Sequence, residues 1–315
     1  MDAISQFLAA APQQLILGLS LGSLYALIAV GYTVVYGIVQ LINFAHGEVF
    51  MIGAFGALST YFLLFKGSTS IWILPVMILG AMAASVLTAI IMERVAYRPL
   101  RNAPRLAPLI TAIGISVFLQ EFIRLFYGDI PGFPDAKSRI PFPAIEGVTG
   151  APIPMLGLQV QRPAIFTISC LIICGLSLWW FITRTRSGRA MQAVSQDPDT
   201  ARLMGINVDR IIVIAFAMGA FLAAVAGVAQ GLQNNNIDFR MGFMAGLKAF
   251  TAAVLGGIGN VPGAIVGGLT LGIVESFAAM VFGGSWKDIA AFSLLILVLV
   301  FRPQGLLGAR VVDRA

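Results

Sequence analysis

Residues 15–38 read LILGLSLGSLYALIAVGYTVVYGI, an apolar stretch without a single charged side chain. As a helix rising 1.5 Å per residue, such a stretch is long enough to cross the hydrocarbon core of a bilayer, which is roughly 30 Å thick. The whole 315-residue chain has the same character, since only 11% of its residues are charged and its mean hydropathy is +0.91. A soluble domain carries about 25% charged residues. The composition therefore predicts one all-α, polytopic integral membrane domain over residues 1–315.

The hydropathy pattern divides this domain into membrane segments. Runs of spanning length lie at residues 15–38, 48–65, 71–92, 107–127, 164–183, 211–232, 261–282 and 288–301. A ninth apolar stretch, 245–257, is too short to span comfortably, and it is interpreted as a half-helix, a re-entrant segment or a broken span. Eight or nine segments fit the pattern equally. Close helix packing is predicted at four G-x-x-x-G pairs, which are Gly18–Gly22, Gly242–Gly246, Gly263–Gly267 and Gly268–Gly272.

The basic residues indicate the orientation. Three stretches, residues 93–105, 184–210 and 302–314, hold twelve of the 20 lysines and arginines, and cytoplasmic loops are typically rich in these residues. Because this charge lies in short loops without interleaved aromatic residues, a nucleic-acid partner is not expected. On the opposite side, residues 128–163 hold seven of the 15 prolines and nearly balanced charge. This external loop is either a cap over the bundle or a docking surface for an external partner.

The stretch NFAHGE, residues 43–48, places polar groups at the start of an apolar run, including the only histidine of the chain. We expect Asn43 to cap a helix, Gly47 to permit close backbone approach and Glu48 to lie in a first helical turn, near the positive end of the helix dipole. Either the stretch with His46 is a hinge that shapes a gate, or it contacts the passing ligand. Glu275, an acid within a span and without a charged neighbour in sequence, is expected to face the interior or a wet cavity.

Residues 184–210 predict more than a simple connector between two spans. GRAMQAVSQ can form one short helix, after which Asp197 and Pro198 supply an N-cap and a proline at the first position of a second helix. Gly205 is a natural residue to end that helix. The two interpretations are a rigid lever at the membrane face and an ordinary connector.

Enzymatic chemistry is not predicted. The sequence contains no G-x-x-x-x-G-K-[ST], H-E-x-x-H or G-x-S-x-G motif. The two cysteines, Cys170 and Cys174, have no further cysteine or histidine nearby to complete a metal site, so we interpret them as packing residues. No cofactor is expected on this chain.

A family resemblance extends these predictions. Asp199-Thr200-Ala201-x-x-x-Gly205 resembles the E-A-A-x-x-x-G signature of ABC importer permeases, although Asp replaces Glu, Thr replaces the first Ala and the downstream I-x-L-P is absent. Residues 18–55, 188–228 and 246–275 together resemble the LivH-type permeases of branched-chain amino acid uptake. The resemblance runs from about residue 15 to residue 307.

The resemblance implies a permease subunit of an ATP-driven importer for leucine, isoleucine and valine in a bacterial inner membrane. It also implies three kinds of partner. Two cytoplasmic ABC ATPases bind ATP, a periplasmic binding protein delivers the ligand, and a second permease subunit, either LivM-like or a second copy, lies beside this chain. Urea or short-amide permeases of the same family, and a proton-coupled secondary transporter using His46, Glu48 and Glu275, remain alternatives.

Two groups of site residues follow from this resemblance. The predicted translocation path or gate consists of Asn43, His46, Gly47, Glu48 and Glu275. The predicted ATPase-coupling loop contains Gly188, Asp197, Pro198, Asp199, Ala201 and Gly205. For an aliphatic ligand delivered by a binding protein, we expect an apolar path that binds weakly and has no dense polar pocket.

Overall fold

The computed structural model describes residues 3–41, 43–101, 103–104, 106–155 and 157–308. Arg105, Arg310 and Arg314 of the predicted cytoplasmic arginine clusters lie outside the described residues. The long helices are α1 (Ala3–Val39), α2 (His46–Leu64), α3 (Ile73–Met92), α4 (Leu106–Phe126), α5 (Arg162–Arg184), α8 (Val208–Asn234), α10 (Val261–Phe282) and α11 (Lys287–Phe301). Shorter helices are α6 (Arg186–Gln196), α7 (Pro198–Leu203) and α9 (Met241–Gly256), and a π-helical turn, Glu93–Tyr97, extends α3.

Within the described residues, eight helices are long and apolar enough to cross a membrane, and these match the eight predicted runs. The all-α polytopic fold is therefore confirmed. The ninth predicted segment is α9, which is shorter. It starts four residues after strand β4 (Asn236–Ile237) and ends beside the C-terminal tail, where the Leu306 N–H donates to the Leu255 carbonyl at 2.7 Å. Together with residues 235–240, α9 thus completes a further pass through the bundle.

Helix α1 lies at the centre, packed by α8, α10, α5 and α9. Its contact with α10 is made by glycines, as predicted: a Cβ on Gly22 would lie only 2.7 Å from the Leu269 Cα, and one on Gly268 would lie 2.5 Å from the Ala26 Cα. Real side chains cannot approach backbone this closely. The glycines therefore allow the two helix backbones to touch, which maximises packing where lipid offers no hydrophobic drive.

The proline-rich segment 128–163 covers one end of the bundle. Its strand β1 (Ile140–Pro141) pairs antiparallel with β4, and β2 (Ile153–Met155) forms a hairpin with β3 (Leu158–Val160). Phe142 and Ile145 of this segment are buried. Hydrogen bonds tie the segment to the helix ends, including one from the Thr69 hydroxyl to Glu146 at 2.7 Å. These contacts are compatible with the interpretation as a cap; the docking role stays a prediction.

The described residues of the predicted cytoplasmic arginine clusters lie together at the end of the bundle opposite the proline-rich segment. Arg98 and Arg101 pair with Asp209 in the first turn of α8, at the end of the α6–α7 segment (residues 184–210). Residues 307–308 of the tail line the same cleft as residues of α6. This end is called the inner end, and the end under the cap is called the outer end.

Candidate functional site

The stretch NFAHGE forms a break between α1 and α2 that lies inside the bundle. Asn43, His46 and Glu48 are each at most 3% exposed. The expectation that Asn43 caps α2 is wrong: α2 begins at His46, its N-cap is Ala45, and no side chain caps it. The Asn43 Oδ1 instead accepts a hydrogen bond of 2.6 Å from the Tyr97 hydroxyl. This difference comes from a tertiary contact, because the π-helical turn after α3 brings Tyr97 to the break.

Glu48 lies in the first turn of α2, as predicted, and connects three helices. Its Oε1 accepts hydrogen bonds from Ser116 at 2.9 Å and from Gln120 at 2.8 Å, both on α4. Its Oε2 lies beside Gly242 in the first turn of α9. The positive ends of two helix dipoles therefore meet at this buried carboxylate. The sequence did not point to the α4 partners, because nothing in their spacing identifies the helix they face.

The close approach predicted at Gly47 is also present. A Cβ on Gly246 of α9 would lie 2.9 Å from the Gly47 Cα. The imidazole of His46 packs edge-on against Tyr32, with ring centroids 4.7 Å apart. A Cβ on Gly219 of α8 would lie 3.2 Å from the His46 Cε1. The stretch is therefore densely packed, and both of its interpretations, as a hinge and as a ligand contact, stay predictions.

Glu275 faces the interior, as expected, at 2% exposure, but it is not isolated. The Lys248 ammonium of α9 lies 2.8 Å from Glu275 Oε1 and 2.7 Å from Asp288 Oδ1 of α11. The Tyr25 hydroxyl is 3.4 Å from the same ammonium. The absence of a charged neighbour in sequence was misleading, because Lys248 comes from another helix. This arrangement is a charge cluster that joins α9, α10 and α11.

A second ionic cluster lies at the inner end. Arg101 pairs with the buried Glu93 and with Asp209, and Arg98 lies 2.6 Å from Asp209. The hydrogen bond and charge of Asp209 raise the pKa of Arg98 above its ordinary value. Through the adjacent Tyr97, these contacts connect the start of α8 to the α1–α2 break.

The α6–α7 segment has the helices that its sequence predicts. The Asp197 carboxylate accepts from the N–H groups of Asp199 (2.9 Å) and Thr200 (3.1 Å), and Pro198 opens α7. The hydrogen bond from the Thr200 hydroxyl lowers the pKa of Asp197. Gly205, with φ of +81°, follows the end of α7. The predicted cap, first residue and final glycine are therefore confirmed as structural elements.

The remaining predicted residues of the segment show how it is held. A Cβ on Gly188 would lie 2.5 Å from the Ile182 Cα, so only glycine permits the tight corner between α5 and α6. Ala201 is buried at 4% exposure, whereas Asp199 pairs with Arg202 on the surface. The next residues, Leu203 and Met204, are 87% and 78% exposed. The segment thus presents an apolar tip on a rigid base.

A cleft of about 1120 Å³ runs between α5 on one side and α1 and α10 on the other. Its lining is mostly aliphatic, and none of the described residues that line it is charged. None of Asn43, His46, Gly47, Glu48 and Glu275 lines it. The sequence did not identify this cleft, because its walls come from helices whose apolar faces resemble lipid-facing surfaces.

Among the described residues, eight helices of spanning length, with an apolar cleft between them, define a multi-pass membrane protein. The chain belongs to the family described as branched-chain amino acid transport system / permease component, whose model matches residues 14–299. It is 48% identical over 310 residues to the high-affinity branched-chain amino acid transport system permease protein BraD of Pseudomonas aeruginosa, covering 96% of this chain and 97% of that protein. It is 42% identical over 308 residues to LivH of Escherichia coli strain K12, covering 96% and 97%.

Two further similarities are more limited. A 154-residue stretch, 45% of this chain and 44% of the relative, is 32% identical to the autoinducer 2 import system permease protein LsrC of Yersinia pseudotuberculosis. Among solved structures, PsaBC from Streptococcus pneumoniae has a TM-score of 0.51 at 14% identity, covering 96% of this chain and 97% of that chain. At this identity the structural likeness concerns the fold alone.

Proposed function

We propose that this chain is the membrane-spanning permease subunit of an ATP-driven importer for leucine, isoleucine and valine in a bacterial inner membrane. Near-full-length similarity to BraD and LivH supports the substrate class. In this proposal, separate ATPases power alternating access, a binding protein docks on the outer cap, and a second permease subunit completes the membrane part.

The observation that carries the ATP-driven mechanism is the exposed tip of α7. Leu203 and Met204 are almost fully exposed at the inner end, although large apolar side chains in water favour burial in an interface. The tight Gly188 corner and the Asp197 cap hold this tip rigidly. In this proposal the rigid apolar tip binds in a groove on a cytoplasmic partner and transmits force to the membrane-spanning helices.

The secondary-transporter alternative has less support. A proton-coupled transporter needs acids that gain and lose protons as they alternate between the two sides. Here Glu275 is held by the Lys248 ammonium, and Glu48 is held by two donors of α4. Both acids therefore have structural partners.

The test of this proposal replaces an apolar side chain at the tip of α7. Leu203→Glu places a charge in the proposed apolar interface, so the tagged chain should no longer co-purify with its ATPase subunits and ATP-dependent leucine uptake should fall at least tenfold. Gln196→Glu, an exposed residue of the same segment, adds the same charge outside the tip and should retain both. Full uptake with Leu203→Glu, in a chain that elutes as the wild type does, would contradict the proposal.

A further inference from the structure

The ion pairs at the inner end connect two features that lie far apart in sequence, the α6–α7 segment and the α1–α2 break. We infer that Asp209 is a positioning residue for transport, which passes movement of the α6–α7 segment through the π-helical turn (Glu93–Tyr97) to the break. The inference rests on the proposed function and adds the residues by which movement of the ATPases reaches the start of α2.

Asp209 holds two arginines that follow the π-helical turn. Its Oδ2 lies 2.6 Å from the Arg98 Nη2, and its Oδ1 pairs with Arg101. The first turn of α8 is itself fixed to the α6–α7 segment, because the Asn207 side chain accepts a hydrogen bond of 3.0 Å from the Arg210 N–H. A displacement of the α6–α7 segment therefore acts on both arginines.

Arg101 carries this contact into the bundle. One of its terminal nitrogens pairs with Asp209 and the other with Glu93, the first residue of the π-helical turn. Glu93 is buried at 0% exposure, whereas Asp209 is half-exposed. A buried carboxylate depends strongly on its cation, but an exposed ion pair contributes little to stability. Glu93 therefore keeps the arginine in place, and Asp209 links it to the segment outside.

The π-helical turn continues the connection to the break. The Arg98 N–H donates to the Glu93 carbonyl, five residues back, at 2.7 Å. Tyr97 is 3% exposed, and its ring packs against Phe216 of α8 with centroids 5.4 Å apart. Its hydroxyl donates to the Asn43 Oδ1 at 2.6 Å. Because Tyr97 directly precedes Arg98, a shift of the arginine moves the hydroxyl that holds Asn43.

In this inference the break acts as a hinge. Gln40, directly after α1, has a φ of +53°, in the left-handed region that non-glycine residues seldom adopt. The Asn43 carbonyl accepts a hydrogen bond of 3.0 Å from the N–H of His46, the first residue of α2. Asn43 thus joins the Tyr97 hydroxyl to the start of α2. Strained backbone and single π-helical turns both occur often at functional sites, and here both lie on one connection.

The first test measures the break in the purified full-length chain in lipid nanodiscs, without any partner. Asp209→Asn removes the charge that holds both arginines, so amide hydrogen exchange of residues 43–49 should become faster by about threefold or more. Asp209→Glu retains the carboxylate and should exchange as the wild type does. Glu121→Gln, which removes one partner of an exposed ion pair on α4, is the matched control and should change nothing at the break. Equal exchange at the break in Asp209→Asn and the wild type would overturn the inference.

The second test measures transport in proteoliposomes that contain the chain with the ATPases, second permease subunit and binding protein proposed as its partners. Asp209→Asn should lower the leucine uptake per ATP hydrolysed by about fivefold or more, the lower end of typical coupling between sites. The unfolding midpoint should stay within about 4 °C of the wild type, because the lost pairs are exposed. Asp209→Glu should restore the uptake per ATP. A purely structural role for Asp209 would instead lower the midpoint and leave the uptake per ATP unchanged, which contradicts the inference.

A double variant tests whether Asp209 and Tyr97 lie on one connection. Tyr97→Phe should also lower the leucine uptake per ATP hydrolysed, and adding Asp209→Asn should lower it no further, since either change already interrupts the connection. Losses that multiply in the double variant would show two independent effects and refute the inference. Absence of ATP-dependent leucine uptake by the wild-type complex would overturn the proposed function, a distinct outcome because the hydrogen-exchange test needs neither ATP nor leucine.

Discussion

The buried Lys248 joins two carboxylates of neighbouring helices, and replacing it gives a quantitative test of the structure. Its ammonium neutralises Glu275, whose side chain is 3% exposed, at 2.8 Å. Removing one partner of a buried pair costs about 3–5 kcal/mol, because the other charge is left uncompensated. The contact with Asp288 adds little, since that carboxylate is half-exposed. At roughly 2–4 °C per kcal/mol for a large domain, Lys248→Met should lower the unfolding midpoint by on the order of 10 °C.

The chain carries its own reporter for this measurement. Cys174 is a buried free thiol and Cys170 is only partly buried, so in a Cys170→Ser background a thiol-reactive fluorophore detects the exposure of Cys174 as the purified protein unfolds in detergent. Lys66→Met, at an exposed lysine without an ion pair among the described residues, is the control and should shift the midpoint by less than about 2 °C. Adding Glu275→Gln to Lys248→Met removes the uncompensated charge and should recover more than half of the loss. A single variant as stable as the wild type, or a double variant no better than the single, would refute the reasoning.

Three further predictions follow from other contacts. Gly272→Val forces a side chain into the backbone of α1 and should lower the free energy of unfolding by about 3 kcal/mol, the upper end of the overpacking range. Gly114→Val, at a glycine with open space around it, should lower it by less than about 0.5 kcal/mol in the same thermal assay. Tyr97→Phe removes the hydrogen bond to the α1–α2 break and should cost about 0.5–1.5 kcal/mol; an unchanged midpoint would argue against that bond. Asp197→Ala should lower the leucine uptake per ATP hydrolysed, while Asp197→Asn, which can also cap a helix, should preserve it. The Thr200 hydroxyl lowers the pKa of Asp197. The stabilisation by this cap is therefore complete above the ordinary carboxyl pKa near 4 and is lost only as the pH falls through the lowered pKa. Titration of Asp197 should thus cause no change between pH 6 and 8 in the leucine uptake per ATP hydrolysed.

Local patterns in the sequence were enough for much of the fold. The apolar runs, the α6–α7 caps and the G-x-x-x-G pairs depend on residues within a few positions of one another, and each has its predicted counterpart in the structure.

The contacts of the candidate site residues could not be predicted from the sequence, because they join segments that are far apart in the chain. Lys248 lies 27 residues before Glu275, and the Tyr97 that displaces Asn43 from its predicted cap lies 54 residues after it. Helix periodicity cannot show which buried faces meet. The cleft is harder still to predict, since in a membrane protein an apolar residue that lines a cleft looks the same as one that faces lipid. Polar residues therefore pointed to the α1–α2 break, whereas the aliphatic cleft lies between other helices.

The most direct test of the central claim is solute uptake into proteoliposomes that contain this chain together with the ATPases, second permease subunit and binding protein proposed as its partners. With ATP supplied to the ATPase side, radiolabelled leucine should accumulate, isoleucine and valine should compete, and urea, acetamide and autoinducer 2 should not. Without ATP, an imposed proton gradient should produce no accumulation. Accumulation driven by the proton gradient alone, or ATP-driven uptake of urea in place of leucine, would contradict the account.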